Sequence, residues 1–328
     1  MSKPLLVDFH NHFDFMPSWI NRLTERFLKN KNSIQFLLDY LEKHDQRIII
    51  GYALYSLPWI KNEFGEVIKQ IELIERAASS CGKGKIKIIK NQDDLADTKF
   101  RMGITLHLES ARWFHGDLTI LKALHKKGVY GLIPVHYINN WYGGSCDDLS
   151  SKITFNHYQR GLTDQGKRLL DMMSDLNMWL DVSHMNQKTL EESLNHFEGA
   201  VAASHIGLQD VINVDRNLSG KSLHLLKQRD AIIGICAWSR ITGRHHHQLK
   251  NMIDILLNNG MENQIVIGSD FGPPIHTASG NKSIFDFYQI LNNLVADEKI
   301  SDKMNSSNAL AFLRRILPYE CQPSRFAV

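Results

Sequence analysis

Short, nearly continuous apolar runs alternate with longer amphipathic segments along most of the chain. Apolar runs of this length predict parallel strands that are covered on both faces. Eight strands are predicted: Leu5–Phe9, Arg47–Leu54, Gly103–Leu108, Val129–Val135, Met178–Val182, Ala200–Ser204, Ala231–Ala237 and Gln264–Gly268. The amphipathic segments predict helices at Ser33–Lys43, Glu66–Ala78, Thr163–Leu176, Gln187–Asn195, Ser222–Gln228 and Leu249–Asn259.

This alternation predicts an α/β fold. Strands separated by helices indicate right-handed crossovers within one parallel sheet. Eight such units predict a (β/α)8 TIM barrel, while a doubly wound open sheet is the alternative. Because no low-complexity linker interrupts the chain, residues 1–328 are predicted to form one domain, with a closing helix at Asn308–Ile316 and a tail.

The composition excludes several classes of protein. The chain has 328 residues, with 38 Lys and Arg against 35 Asp and Glu, and it lacks the basic stripe of a nucleic-acid-binding protein. The apolar runs are too short to span a bilayer. Four widely spaced cysteines argue against a disulfide framework or a thiolate zinc site. Because Met1–Pro4 leads directly into an apolar strand, we predict no signal peptide and expect a cytoplasmic protein without nucleic-acid or membrane partners.

The 16 histidines are informative mainly through their positions. Six of the eight predicted strands end on groups that can bind a metal ion or transfer a proton. These groups are His10 and His12, Glu109, His136, His184, His205 and Asp270. In a barrel the carboxyl ends of the strands converge on one face, where active sites lie.

The spacing of these groups suits a metal centre. His10 and His12 are two residues apart on a strand, so both can reach one ion. Glu109 has two oxygens that can bridge this ion and a second one, for which His184 and His205 supply imidazoles. Imidazole and carboxylate ligands without thiolate favour zinc, with manganese, cobalt or iron as alternatives.

Each group also has an ordinary explanation when it is taken alone. A histidine at a strand end can be a hydrogen-bonded surface residue, Glu109 a salt-bridge partner, and Asp270 a helix N-cap. Their recurrence at six strand ends favours a metal site. Asp270 would then place a carboxylate close to a bridging water.

Other candidate motifs carry less weight. The tract His245–His247 resembles a metal-binding segment, but it precedes a predicted helix and is interpreted as a solvated helix start. His107 shares a strand face with Glu109 and is assigned a packing role. The sequence contains neither a glycine-rich phosphate loop nor a nucleophile elbow.

A series of motifs runs in order through roughly residues 5–275. They are Val7–His12, Leu106–Glu109, Gly128–His136, Asn139–Trp141, Gly161–Thr163 with Gly166, Leu180–His184, Ala203–His205, Arg216–Leu218 and Ile267–Phe271. Together they resemble the membrane (renal) dipeptidase family of zinc peptidases, within the amidohydrolase-like barrel superfamily. The resemblance implies a metal-dependent hydrolase barrel with two divalent ions, held by His10, His12, Glu109, His184 and His205.

The resemblance also implies roles for four further residues. Asp270 would handle the proton of the bridging water, and His136 would stabilise the oxyanion of the tetrahedral intermediate. Arg216 would bind the terminal carboxylate of the substrate as a planar two-pronged donor. Trp238 is a candidate wall of the substrate pocket, with core packing as the alternative.

The sequence departs from the family pattern in two places. The family usually has His-x-Asp at the first pair, so His12 leaves the first ion one charge unit more positive and should acidify its bound water. A register that uses Asp14 instead is disfavoured, because Asp8 and Asn11 flank His10 as expected. After Asp270, Gly272-Pro273-Pro274 replaces an acidic residue, which predicts a different pocket shape.

The resemblance implies a dipeptidase that acts on small dipeptide-like substrates, with tolerance for a D-residue at the carboxyl end. A related amidohydrolase acting on another small amide, lactone or cyclic imide is the first alternative, because His-x-His is common in the wider superfamily. A non-catalytic ligand-binding protein is the second, although the intact ligand set argues against it. Members of such families often form dimers, so the resemblance allows a homodimer, but no interface patch can be read from the sequence.

Overall fold

Parallel strands form the centre of the fold. The computed structural model describes residues 5–12, 33–56, 61–80, 84–146, 160–271 and 283–319. The strands in these ranges are β1 (Leu5–Asn11), β2 (Arg47–Leu54), β3 (Ile86–Ile88), β4 (Met102–Glu109), β5 (Val129–Ile133), β6 (Trp179–Asp181), β7 (Val201–Ile206), β8 (Ile232–Ile235) and β9 (Ile265–Ile267).

Eight of these strands close into a barrel. The order around the ring is β2-β1-β9-β8-β7-β6-β5-β4, and β2 pairs with β4 to complete it. All of these pairings are parallel. The TIM-barrel prediction is therefore confirmed, and the open doubly wound sheet is excluded. The prediction missed β3, which adds to the first half of β4, because three residues are too few to show a strand pattern.

Helices connect the strands at nearly the predicted positions. They are α1 (Ser33–Lys43), α2 (Glu63–Ser80), α3 (Gln92–Ala96), α4 (Thr119–Lys126), α5 (Asp164–Asp175), α6 (Gln187–His196), α7 (Gly220–Gln228), α8 (Ser239–Thr242), α9 (His246–Asn258), α10 (Ile284–Leu294), α11 (Glu298–Asp302) and α12 (Asn308–Ile316). Thr163 caps α5 by accepting a hydrogen bond from the Gly166 N–H, which satisfies a free donor of the first turn. Within the described ranges, none of these helices combines the length and the apolar character that a membrane span requires.

An apolar plug fills the barrel interior away from the carboxyl ends of the strands. Phe9 of β1 and Trp179 of β6 come from opposite sides of the ring, and their ring centroids are 5.1 Å apart. Phe312 of the closing helix α12 packs edge-on against Phe9 at 5.4 Å. Each buried aromatic ring contributes about 1.5–3 kcal/mol relative to exposure, so the plug anchors the closing helix to the barrel.

A bulge in β1 changes which side chains face inward. Asp8 pairs with Ile50 and Asn11 with Tyr52, so three steps along β1 are matched by two along β2. As a result, the sequence neighbours Phe9 and His10 both face the interior, where Phe9 meets Trp179 and His10 meets other histidines. The bulge thus places a polar layer directly on the apolar plug.

Several sequence interpretations lie outside the described residues. These are the alternative register at Phe13 and Asp14, the segment Gly272-Pro273-Pro274, and the tail after residue 319. The assignment of residues 1–328 to one domain stays a prediction.

We expect Gly131→Ala to destabilise the fold by about 1–3 kcal/mol, because a Cβ at Gly131 would overlap the Trp179 ring in a packed interior. Gly220→Ala is the matched control, since a Cβ there meets no atom within 4 Å. Urea unfolding of both variants measures the difference in the free energy of unfolding. Equal stabilities for the two variants would contradict the packing argument.

Candidate metal centre

Seven buried polar side chains converge at the carboxyl ends of the barrel strands. They are His10, His12, Glu109, His136, His184, His205 and Asp270, and none is more than 9% exposed. The closed barrel brings these residues together from six strands or the loops directly after them. All seven are positions that the sequence analysis singled out.

The Glu109 carboxylate lies at the centre of this cluster. Oε1 is surrounded by four Nε2 atoms, those of His184 at 3.3 Å, His136 at 3.5 Å, His205 at 3.7 Å and His10 at 3.8 Å. Oε2 is 3.1 Å from the Nε2 of His12. One oxygen of the carboxylate therefore faces four imidazoles, and the other faces His12.

The donor atoms of the cluster fit a divalent-metal centre. Glu109 belongs both to a group with His10 and His12 and to a group with His136 and His184, each with ligand atoms within 4.8 Å of one another. Imidazole nitrogens also face each other, with 3.0 Å between the Nε2 atoms of His184 and His205. Neutral imidazoles that point lone pairs at a common centre, beside a carboxylate, are the ligand set of zinc and related ions.

Burial keeps most of these imidazoles neutral. Desolvation is the main cause that lowers the pKa values of His10, His184 and His205 well below 6.5. Because a metal ion binds the unprotonated imidazole, these three side chains are held in the binding form.

Glu109 and His12 behave differently because each has a close partner of opposite charge. Burial alone would raise the pKa of Glu109, but His136 and His12 together hold it well below 4.5. Burial alone would lower the pKa of His12, but Glu109 and Asp270 raise it to about 9. In the absence of a metal ion, His12 therefore carries a positive charge beside two carboxylates.

Asp270 is a carboxyl group that can exchange a proton near neutral pH. Its Oδ1 is 3.5 Å from His12 Nε2 and 3.8 Å from His10 Nε2, and its N–H donates to the His10 carbonyl at 2.9 Å. Burial is the main cause that raises its pKa to about 7. This value suits a group that accepts and returns a proton during a reaction.

The backbone is strained at three points of the site. Ser110 after Glu109, Tyr137 after His136, and Asp270 itself have φ values of 99°, 53° and 57°. Such conformations cost of order 1–3 kcal/mol for residues other than glycine and concentrate at functional sites.

Arg216 connects the cluster to a cavity of about 510 Å³. Its Nη2 donates to the His205 carbonyl at 2.8 Å and lies 3.4 Å from His184 Nε2. Ser183, Asn139 and Gln209 also line the cavity. The predicted carboxylate-binding residue is therefore buried at the edge of the cluster, beside space for a ligand.

The remaining candidates have other surroundings. Trp238 is half-buried before α8, where its backbone N–H contacts the Cys236 sulfur and its ring lies 5.5 Å from the Arg240 guanidinium. These contacts do not join it to the cluster, which leaves its pocket role a prediction. The tract His245–His247 is exposed at the start of α9, as expected.

His107 does more than the packing role that the sequence suggested. Its ring packs 5.3 Å from that of Trp179, and its Nε2 is 2.9 Å from Nδ1 of His10. Burial is the main cause that lowers its pKa to about 3. His107 therefore lies between the apolar plug and a candidate metal ligand.

The sequence analysis gave no role to two buried carboxyl groups that support the cluster, although both lie within its motifs. Asp8 accepts hydrogen bonds from the Ser269 N–H at 2.8 Å and from Asn11 Nδ2 at 2.7 Å. Asp181 Oδ1 accepts from the Ser183 hydroxyl at 2.6 Å and from the Ser204 N–H at 3.1 Å. Burial raises the pKa values of both to about 6. Their nearness in sequence to His10 and His184 is the signal that could have found them.

Tyr55 was also missed, and nothing in its sequence context distinguishes it. It follows β2, and its ring centroid lies 4.9 Å from that of His136 and 6.4 Å from that of His12. Burial raises the pKa of its hydroxyl, so the ring adds a neutral polar group at the edge of the cluster.

The sequence is similar to that of a known protein family and to individual proteins from other organisms. A sequence profile described as membrane dipeptidase (peptidase family M19) matches residues 6–317. An uncharacterized protein in the pqqA 5′ region of Klebsiella pneumoniae is 26% identical over 227 residues, which are 66% of this chain and 82% of that protein. Dipeptidase tcpJ of Claviceps purpurea is 25% identical over 264 residues, which are 76% of this chain and 60% of that protein.

A solved structure has the same fold. A metallopeptidase from Rhodobacter sphaeroides, crystallised with a phosphinate mimic of the dipeptide L-Ala-D-Ala, superposes with a TM-score of 0.77. The superposition covers 96% of this chain and all of that chain at 18% sequence identity. The two proteins therefore share the barrel fold although their sequences are only 18% identical.

The lowered pKa of His107 predicts a pH-dependent stability difference in the metal-free protein. Folded His107 stays neutral down to about pH 3, whereas in the unfolded chain it binds a proton below about 6.5. Relative to His107→Gln, the wild type should therefore lose about 1.4 kcal/mol of unfolding free energy per pH unit between about pH 6 and 4. Urea unfolding in the presence of a chelator measures this difference, and parallel stability curves would contradict it.

Proposed function

The chain belongs to the membrane dipeptidase family, and from this premise we propose that it hydrolyses dipeptides at a centre of two divalent metal ions, with zinc as the preferred ion. The observation that carries the proposal is the position of Glu109. Its Oε2 lies nearest to His12 and its Oε1 nearest to His184, so one oxygen is available to each of two ions. When bound, such ions polarise the peptide carbonyl and lower the pKa of water to near neutrality.

Glu109 forms a group of candidate ligand atoms with His10 and His12, and it also lies close to His184 and His205. His10 and His12 would hold one ion, and His184 and His205 would hold the other. Because His12 stands where the family usually has a carboxylate, an ion held by His10 and His12 would keep one more unit of positive charge. The higher charge would lower the pKa of a water bound to that ion.

Asp270 and His136 supply the proton transfer and the charge stabilisation. Asp270 Oδ1 takes the proton of the attacking water and returns it to the leaving amine, which its pKa of about 7 allows. His136, whose Nε2 is 3.5 Å from Glu109 Oε1, would stabilise the oxyanion of the tetrahedral intermediate.

Arg216 and the adjoining cavity supply the substrate-binding end. The guanidinium would bind the terminal carboxylate, and the cavity of about 510 Å³ has room for the carboxyl-terminal side chain. The Rhodobacter sphaeroides metallopeptidase binds a mimic of L-Ala-D-Ala, which supports a D-residue at this position.

One observation favours a second candidate function. The His-x-His pair at positions 10 and 12 is common in related amidohydrolases that act on other small amides, lactones or cyclic imides. Substrates of that kind need no terminal carboxylate, so dependence on Arg216 separates the two functions.

Metal content tests the shared carboxylate. We expect purified, untagged wild-type protein to hold about two equivalents of zinc by elemental mass spectrometry. Glu109→Gln and His184→Ala should each lose at least one equivalent, because each removes a ligand from the cluster. His224→Ala, which removes an exposed histidine of α7, is the control. Full metal content and activity in both cluster variants would exclude the bridged centre.

Substrate recognition tests the role of Arg216. Wild-type enzyme should cleave L-Ala-D-Ala at least tenfold faster, in kcat/KM, than the same dipeptide with a carboxyl-terminal amide, because the amide lacks the charge that Arg216 binds. Arg216→Ala should remove this preference, and Arg216→Lys should restore it only in part. Arg240→Ala, which alters an exposed residue beside Trp238, is the control. An Arg216→Ala enzyme with unchanged kcat/KM for the dipeptide would favour the amidohydrolase alternative.

A further inference from the structure

We propose that His107 is a positioning residue of the metal centre, which accepts a hydrogen bond from His10 Nδ1 and so fixes the tautomer and ring orientation of His10. The inference rests on the proposed function, because it requires a metal ion at His10. His107 lies on β4 two residues before Glu109, and its side chain is buried.

The geometry of His10 determines where its hydrogen must be. Its Nε2 faces the Glu109 and Asp270 carboxylates, at 3.8 Å from each. A histidine that binds a metal ion through Nε2 keeps its lone pair there and carries its hydrogen on Nδ1. Two potential acceptors lie near Nδ1: His107 Nε2 at 2.9 Å and Ser204 Oγ at 3.1 Å.

Ser204 already accepts a hydrogen bond from a second ligand. Its Oγ is 2.8 Å from Nδ1 of His205, which by the same reasoning carries a hydrogen and donates it to Ser204. The Ser204 hydroxyl then donates to Ser183 Oγ at 3.2 Å, and the Ser183 hydroxyl donates to Asp181 Oδ1 at 2.6 Å. This series of hydrogen bonds accounts for the hydroxyl hydrogens of both serines. It connects His205 to the buried carboxylate of Asp181.

His107 is therefore the nearer acceptor for His10, and one that the Ser204 chain does not use. To accept at Nε2, its own hydrogen must be on Nδ1. Trp179 packs against the His107 ring, and the absence of a side chain at Gly131 makes room for Trp179. The apolar plug therefore fixes the His107 ring through Trp179, and Nε2 of this ring orients His10.

Zinc affinity, measured by competition with a chromogenic chelator, tests the proposal. His107→Leu removes the acceptor while filling similar space, and we expect its zinc affinity to fall 10–100-fold. His107→Gln should stay within about threefold of wild type, because its amide oxygen reaches about as far as Nε2. His125→Leu is the matched control, since His125 is a partly buried histidine that packs on Tyr130. The kcat of His107→Leu should recover in excess zinc.

The outcomes separate this inference from the proposed function. Wild-type protein that binds no zinc refutes both. Wild-type protein that binds zinc, with His107→Leu of equal affinity, overturns the role of His107 and leaves the metal centre intact. If His107 had only a structural role, its substitutions would lower the stability of the protein, and His107→Leu and His107→Gln would have similar zinc affinities. If His107→Leu does not fold, His107→Asn replaces it, because its shorter amide cannot reach His10; affinity equal to that of His107→Gln would overturn the proposal.

Discussion

The ionised carboxylate of Glu109, buried inside a protein barrel, is the constraint on which the site depends. An isolated buried carboxylate is costly, and it persists only when groups of opposite charge or hydrogen-bond donors surround it. Here those groups are imidazoles from β1 and β7 and from the residues that follow β1, β5 and β6. No two neighbouring strands could supply them all, so the charge is accommodated only when the barrel closes.

The two ends of the barrel interior have different tasks. Phe9, Trp179 and Phe312 form an apolar plug that joins opposite strands to the closing helix. Directly against this plug lies a polar layer in which buried Asp8 and Asp181 organise serine hydroxyls and backbone donors. The bulge in β1 makes this contact possible, since Phe9 and His10 could not both face inward along a regular strand.

Two neighbouring carboxyl groups acquire different properties from their surroundings. Glu109 is kept ionised by His136 and His12, whereas burial raises the pKa of Asp270 to about 7. The first therefore suits a permanent ligand and the second a group that exchanges a proton. This separation of roles through environment is a general feature of hydrolytic sites. Arg216, with its guanidinium at the edge of the same cluster, adds a fixed positive charge on the side of the cavity.

Local patterns of residues were sufficient to predict those parts of the protein that depend on them. Apolar runs separated by amphipathic segments predicted eight strands and the closing helix Asn308–Ile316, and the polar residues at the strand ends predicted the cluster around Glu109. Features that depend on pairing between distant segments became visible only in the folded protein. Barrel closure through β2 and β4, the bulge in β1, and the contact of His107 with His10 are set by register between strands far apart in sequence. Periodicity reports which face of an element is buried, but it contains no information on which buried atoms meet.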